Sequence, residues 1–183
     1  MFISVQELEI RKIEFSEEIQ PGQIDFGREL TQSSVLKTQG RAELIEEHRG
    51  GKNLVEDIRV VGRFAVSMDV PCARCLDPVP GKFGGDFDLL YRPLGIDAGR
   101  EEAAICTAET EIGYYIGDGI LLEDVMKEQV LLAVPLKAIC SEACKGLCPH
   151  CGKNLNVETC SCTEESSDPR WSALADLKSK LKS

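Results

Sequence analysis

The alternation of apolar and polar positions predicts a body built mainly from β-strands. The clearest run lies between residues 58 and 70, where apolar side chains occupy most even positions and polar side chains occupy most odd ones. A period of two is the pattern of a strand with one buried face. The run from Phe83 to Tyr91 repeats the alternation with the opposite parity. We therefore expect two long strands whose apolar faces share one core.

Further strands are predicted at lower regularity. Residues 2–19 predict two short strands, residues 35–47 a longer one, and residues 111–116 another short one. The adjacent glycines within residues 49–52 predict a hairpin turn, because tight hairpins require a positive φ that glycine accepts. Residues 93–110 have the proline, glycine and paired glutamates of a loop.

A helix is predicted between the last strand and the cysteines. Asp118 is the expected N-cap of a helix over residues 119–134, in which Leu121 and Val125 pair at i, i+4. Pro135 limits its extent.

A second, terminal helix is predicted to begin at Asp168 and Pro169, an N-cap followed by proline at the first helical position. Its apolar stripe consists of Trp171, Leu174, Leu177 and Leu181.

The fold class is therefore predicted as α+β, an antiparallel β-rich body with one or two helices. We expect the body and its closing helix to occupy residues 1–135, and a cysteine-rich zinc-knuckle module with the terminal helix to occupy residues 136–183.

The charge of the chain changes which partners are expected. The formal net charge is −10. Residues 101–128 alone hold eight acids against Lys127. An acidic body repels phosphate backbones, so nucleic-acid contact would have to be local, whereas basic proteins are suitable partners. A solvent-exposed acidic face that keeps the protein in solution is the simpler explanation of the same charge.

The cysteines carry the strongest chemical signal. The chain has nine, and six of them lie within residues 140–162. The start of the chain has neither the basic region nor the apolar run of a secretory signal, and no apolar segment is long enough to span a membrane, so we expect a cytoplasmic protein. Clustered thiols in a reducing compartment indicate metal binding more than disulfides, and zinc is the usual ion for four thiolates.

Two four-cysteine sites follow from the spacing. The economical assignment places one zinc ion on Cys148, Cys151, Cys160 and Cys162. A second ion would be shared by Cys72, Cys75, Cys140 and Cys144, provided that the strand turn meets the end of the helix. An exchange of pairs between the ions, a first site that uses Cys144, and thiols at 140 and 144 without a ligand role all remain open. Cys106 is expected to pack as a small apolar group, and His150 to be a solvent-exposed residue between two ligands.

The ordered set of motifs resembles the YceD family of large ribosomal RNA subunit accumulation proteins. The matching pieces are CARCL at 72–76 followed by Pro78, LLAVP at 131–135, GLCPHCGKNLN at 146–156, CSC at 160–162 and DPRW at 168–171. The resemblance implies a non-enzymatic bacterial factor in ribosome biogenesis, needed for the processing or accumulation of large-subunit ribosomal RNA. Its implied partner is the precursor large subunit, through ribosomal protein or ribosomal RNA, with no membrane and no small-molecule substrate.

Because some members of that family lack most of the C-terminal cysteines, the zinc knuckle is expected to stabilise the protein or to dock it to a partner, and not to carry its activity. We expect protein contacts, with limited RNA contact at basic positions such as Arg74, Lys145, Lys153 and the terminal lysines. The alternative is a zinc-ribbon regulator that binds nucleic acid. A thiol-redox enzyme is a third class, which the position of Cys72 and Cys75 between two strands does not favour.

Overall fold

Residues 1–48, 54–95 and 112–162 are described by the structure, a computed structural model. Within these residues the chain forms, in order, β1 (Phe2–Ser4), α1 (Val5–Ile10), β2 (Ile13–Ile19), β3 (Thr31–Gln32), β4 (Leu36–His48), β5 (Leu54–Pro71), β6 (Pro78–Pro93), β7 (Ile112–Tyr115), β8 (Gly119–Leu121) and α2 (Leu122–Ala133). The predicted hairpin turn at 49–52, Cys106 and the predicted terminal helix lie outside the described residues.

The main sheet is built around β5, an 18-residue strand. The described strands are ordered β2-β4-β5-β6-β7, and β3 pairs with β5 beside them. All of these pairings are antiparallel except that of β6 with β7. A separate antiparallel pair joins β1 to β8. These elements and the two helices confirm the predicted α+β class.

The core lies on the face of the sheet that carries the even positions of β5. The apolar residues predicted there are all buried, with exposed fractions of 7% or less: Ile58, Val60, Phe64, Val66, Met68 and Val70. Helix α1 packs against β4, and α2 packs against β6. The period-two prediction for this strand is therefore confirmed.

Two glycines face each other in the middle of this buried face. Gly40 pairs with Gly62, and in the same row Phe15 pairs with Gly40 while Phe87 pairs with Gly62. A Cβ atom at Gly40 would lie 2.7 Å from Cζ of Phe15, and one at Gly62 would lie 2.8 Å from Cζ of Phe87. The two aromatic rings therefore cover the glycines, and a larger residue at either position would displace a ring.

The prediction of two short strands over residues 2–19 is confirmed by β1 and β2, but the alternation does not predict α1, which follows β1 at once. The hydroxyl of Ser4 accepts a hydrogen bond from the backbone N–H of Glu7 at 3.2 Å and caps this helix. Val5 and Leu8, three residues apart, are its buried side chains. The Ser4-x-x-Glu7 spacing is that of a capping box, a signal that the irregular alternation concealed.

The predicted start of the second helix is also corrected. Residues 119–121 form β8, and the helix begins at Leu122 after an N-cap residue, Leu121, without a side-chain cap. The carbonyl oxygen of Asp118 accepts a hydrogen bond from the N–H of Val5 at 2.8 Å. Pairing with β1 therefore replaces the first helical turn. The helix ends at Ala133, before Pro135, as predicted.

One ion pair is buried at the β7 end of the sheet. Nε and Nη2 of Arg92 donate to the two carboxylate oxygens of Asp57 at 3.0 and 2.7 Å. The side chains are 4% and 2% exposed. Arg92 on β6 is thereby held to Asp57 on the neighbouring β5.

Candidate metal centres

The first Cys-x2-Cys turn joins the central strand to the next strand of the sheet. Pro71 and Pro78 are the last residue pair of β5 and β6, and the turn projects beyond them. The N–H of Cys72 donates to the carbonyl of Asp77 at 2.8 Å, and the N–H of Leu76 donates to that of Cys72 at 2.9 Å. This tight turn places the sulfur atoms of Cys72 and Cys75 on the same side of the hairpin.

The segment after α2 brings a second pair of thiols to this turn. Ala138 forms an isolated parallel bridge with Cys72, and its carbonyl accepts the N–H of Ala73 at 2.8 Å. Two residues further on, Cys140 reaches the turn, followed by Cys144. We call Cys72, Cys75, Cys140 and Cys144 the buried tetrad, since three of the four residues are buried.

The sulfur spacing of the buried tetrad suits a tetrahedral ion. The Sγ atoms of Cys72 and Cys144 are 3.9 Å apart, and those of Cys75 and Cys140 are 3.6 Å apart. Four sulfurs at 2.3 Å from a zinc ion would be separated by about 3.8 Å. A disulfide requires about 2.05 Å, and the eight described cysteines are all free.

Hydrogen-bond donors point at these sulfurs and stabilise their thiolates. The backbone N–H groups of Cys140, Cys75 and Arg74 lower the pKa of the Cys72 thiol to about 6. The side-chain amide of Asn156 donates to Sγ of Cys144 at 3.3 Å, which lowers the pKa of that thiol. Thiolates are the form that binds metal, so Cys72 and Cys144 are the two ligands favoured in that form. Hydrogen bonding with Cys144 raises the pKa of Cys140. Although the backbone N–H of Asp77 opposes the shift, burial and the neighbouring sulfurs raise the pKa of Cys75.

The second Cys-x2-Cys turn has the same local form. The N–H of Gly152 donates to the carbonyl of Cys148 at 2.9 Å, and the N–H of Cys148 donates to that of Lys153 at 2.8 Å. The backbone N–H groups of Cys151 and His150 lower the pKa of the Cys148 thiol to about 6. The imidazole of His150 is outside the sulfur group, and the residue is exposed.

Four sulfurs gather at this second turn: Cys148, Cys151, Cys160 and Cys162. We call them the exposed tetrad, because only Cys148 among them is buried. In each tetrad the ligand atoms all lie within 4.8 Å of one another, close enough to share a metal ion. These are the two groupings proposed from the spacing. That they bind metal stays a prediction, and so does a domain boundary between residues 135 and 136.

Polar side chains connect the first turn to the cysteine-rich segment that follows α2. Nη1 of Arg74 donates to the carbonyls of Glu142 and Cys144, both at 3.0 Å. The side-chain amide of Asn154 donates to Asp77 at 2.8 Å. Arg74 is one of the basic positions expected to contact RNA, and in the structure its Nη1 holds the cysteine-rich segment against the first turn.

Sequence reasoning missed the asparagines among these contacts. The side chain of Asn156 connects two parts of the segment, because Oδ1 accepts the N–H of Lys145 at 2.8 Å while Nδ2 donates to Cys144. Asn154 and Asn156 both lie in the KNLN run after the knuckle glycine. The signal that could reveal such supporting residues is an asparagine close to a Cys-x2-Cys turn, since its side-chain amide can form hydrogen bonds with backbone groups and sulfur atoms.

Comparison with known proteins identifies the family to which the chain belongs. The family model described as large ribosomal RNA subunit accumulation protein YceD matches residues 60–178, about two thirds of the chain. The chain belongs to the YceD family. Both tetrads fall within the part that matches the YceD model.

Individual relatives match over different shares of their length. An uncharacterised protein of Mycobacterium tuberculosis is 32% identical over 126 residues, which is 69% of this chain and 58% of that protein. Protein YlbN of Bacillus subtilis is 25% identical over 169 residues, 91% of this chain and 88% of its own. The chloroplastic YCED homolog 1 of Arabidopsis thaliana, named as a large ribosomal RNA subunit accumulation protein, is 38% identical over 56 residues, 31% of this chain and 17% of that protein. The chain thus covers somewhat more than half of the mycobacterial relative.

No solved structure matches the chain. Among the described residues, no helix combines the length and the apolar composition needed to cross a membrane.

Proposed function

We propose that this YceD-family chain is a non-enzymatic, zinc-bearing factor that supports the processing or accumulation of large-subunit ribosomal RNA in the bacterial cytoplasm. The observation that carries the proposal is the family match over residues 60–178, which includes all eight cysteines of the two tetrads. Its partner is the precursor large ribosomal subunit. The zinc ions serve the architecture and take no part in a reaction.

The donor set supports a structural role for the metal. Four thiolates complete the coordination of zinc, whereas catalytic zinc keeps one position open for water or substrate. The buried tetrad would hold one ion through Cys72, Cys75, Cys140 and Cys144. The exposed tetrad would hold the other through Cys148, Cys151, Cys160 and Cys162.

The cysteine-rich segment needs such ions because it has little else to stabilise it. Between residues 136 and 162 the structure describes turns and isolated bridges without a helix or a strand. The separate apolar cluster at this end consists of Cys72, Cys75 and Cys144, with Val79 packed against it. A segment without its own core depends on metal for its fold, as small zinc domains do.

Surface charge favours a protein contact over a nucleic-acid contact. Lys153 pairs with Glu158 at 3.0 Å, and Arg59 on the sheet pairs with Asp88 at 2.6 Å. Cations that are already paired attract phosphate less strongly, and the chain as a whole is at −10. A regulator that reads nucleic acid would need an unpaired basic surface.

Depletion of the protein in its host, followed by quantification of mature large-subunit RNA relative to small-subunit RNA, tests the proposal. We expect a selective loss of the large-subunit RNA that the wild-type gene restores. Restoration should be weaker with Cys72→Ser/Cys75→Ser, which prevents attachment of the segment to the sheet. Normal large-subunit RNA after depletion would overturn the proposal. Affinity capture at low salt, with and without ribonuclease, then separates a protein contact from an RNA contact.

A further inference from the structure

An apolar groove lies at the opposite end of the sheet from the cysteines. It is formed by β7, the β1–β8 pair and the first turns of α2, and it has a volume of about 460 Å³. Four of its lining residues are large apolar or aromatic residues with substantial exposure: Phe2 at 50%, Tyr114 at 54%, Ile116 at 79% and Leu121 at 46%. Single exposed apolar residues are normal, but a contiguous set around a concave surface is typical of an interaction site.

Two carboxylates line the same groove. Asp124 and Glu128 are four residues apart on α2, so they project from the same face of the helix. Within the described residues neither has a lysine, arginine or histidine nitrogen within 4.0 Å, although the hydroxyl of Tyr91 donates weakly to Glu128 at 3.4 Å. The neighbouring Glu123 is already neutralised by the α-amino group of Met1. Like charges at this spacing destabilise a helix unless a cation lies between them.

The apolar lining and the two carboxylates, which have no cationic partner among the described residues, together favour one kind of occupant. We propose that this acidic groove docks a basic peptide segment that carries an aliphatic or aromatic anchor, from a protein partner. The anchor would fill the space between Phe2, Tyr114 and Ile116. Lysine or arginine side chains would pair with Asp124 and Glu128, and the exposed ring of Tyr114 offers a face for a cation.

The same charges argue against the other occupants. Ribosomal RNA would bring phosphates towards two carboxylates, which is unfavourable. A second copy of the chain in a symmetric contact would place two such acidic pairs against each other. The inference rests on the proposed function in one respect, since the basic proteins of a large-subunit precursor would supply a segment of this chemistry.

Peptide binding to the zinc-loaded full chain tests the groove directly. The probe is a short fluorescein-labelled peptide of lysines and leucines, compared by anisotropy with a peptide in which glutamate replaces lysine and one in which serine replaces leucine. We expect the lysine–leucine peptide to bind most tightly, with an affinity that falls as salt is raised. Asp124→Asn/Glu128→Gln should raise its dissociation constant about tenfold, and Tyr114→Ser should do the same.

Matched variants control for charge and for exposed apolar area. Glu9→Gln/Glu46→Gln removes two exposed carboxylates that do not line the groove. Ile10→Ser removes an apolar side chain that is 84% exposed on α1. Neither should change the dissociation constant. The Asp124 and Glu128 variant relieves repulsion within α2, so it should remain folded.

The inference is overturned if the lysine and glutamate peptides bind alike, if the groove variants bind as the wild type does, or if the controls lose binding equally. It is also overturned if light scattering shows a dimer that Tyr114→Ser converts to a monomer, because a second copy would then occupy the groove. Normal large-subunit RNA in cells that carry Asp124→Asn/Glu128→Gln, together with its loss on depletion, would reject the groove as the partner site and leave the proposed function intact.

Discussion

Leu76 and Gly152 occupy the same position in the two Cys-x2-Cys turns, one residue after the second cysteine, and both adopt the left-handed backbone conformation. Their φ angles are +63° and +73°. Glycine accepts this conformation without penalty, whereas it costs an L-residue about 1–2 kcal/mol. Among the described residues, Leu76 is the one non-glycine residue with positive φ. Its side chain is also 64% exposed, so burial offsets little of that cost.

Leu76→Gly is therefore expected to stabilise the protein. Relief of the left-handed strain exceeds the extra freedom of glycine in the unfolded chain, for a net gain of about 0.5 kcal/mol in the free energy of unfolding. Gly152→Ala should have the opposite effect and cost about 1 kcal/mol, because only the backbone angle opposes a Cβ at that open position. Urea unfolding in zinc-containing buffer measures both.

Gly85→Ala is the control for these two variants. Gly85 has open space around its Cβ position and no positive φ. Alanine there should leave the free energy of unfolding nearly unchanged or raise it slightly. Equal effects of alanine at 85 and 152 would contradict the explanation by backbone angle.

Arg74→Ala is expected to weaken zinc binding at the buried tetrad selectively. The guanidinium donates to the backbone carbonyl of Cys144 and so orients a predicted ligand, and loss of such supporting contacts typically costs about 10–100-fold in metal affinity. Competition with a chromogenic chelator measures the affinity. Lys145→Ala, a basic residue in the same segment whose side chain makes no described contact to a ligand, should leave it unchanged.

Two zinc ions and one free thiol per chain are expected in the purified protein, because eight of the nine cysteines fall into the tetrads. Native mass spectrometry and thiol titration measure the two numbers. Cys148→Ser/Cys151→Ser should retain one ion. One ion with five free thiols in the wild type would leave a single four-cysteine site.

The two ions should also differ in how fast a chelator removes them. Cys72, Cys75 and Cys144 are 0%, 3% and 7% exposed, whereas Cys151 and Cys162 are open to solvent. The exposed tetrad should therefore lose its ion first, and the fast phase of release should be absent from Cys148→Ser/Cys151→Ser. A single phase with two ions released would contradict the difference in access.

Asp57→Asn is expected to destabilise the sheet strongly. Removal of the negative charge from a buried, doubly hydrogen-bonded ion pair typically costs about 3–5 kcal/mol. Glu18→Gln is the exposed comparison, since Glu18 pairs with Lys37 at 3.0 Å where both side chains are more than 60% exposed. That variant should cost less than about 1 kcal/mol. Chemical unfolding of the two variants measures the contrast.

Much of this architecture could be predicted because its causes are local. The alternation along residues 58–70 follows from burial of one face of a strand, and it can be recognised without knowing which strands pair with this one. Competing local interactions explain where the predicted elements differ from the structure. Ser4 caps a helix of six residues that is too short for a clear periodicity, and pairing of Gly119 with Ser4 replaces the first turn expected for α2.

The long strands, the main helix and the two Cys-x2-Cys turns can be predicted from the sequence, because each depends on side chains a few residues apart. Which cysteine pairs come together depends instead on contacts between distant parts of the chain. Sγ of Cys75 and Sγ of Cys140 lie 3.6 Å apart although 65 residues separate them along the chain. That approach depends on the bridge between Cys72 and Ala138, which no local pattern records. The acidic groove has the same origin, since it exists only where β1, β7 and α2 meet.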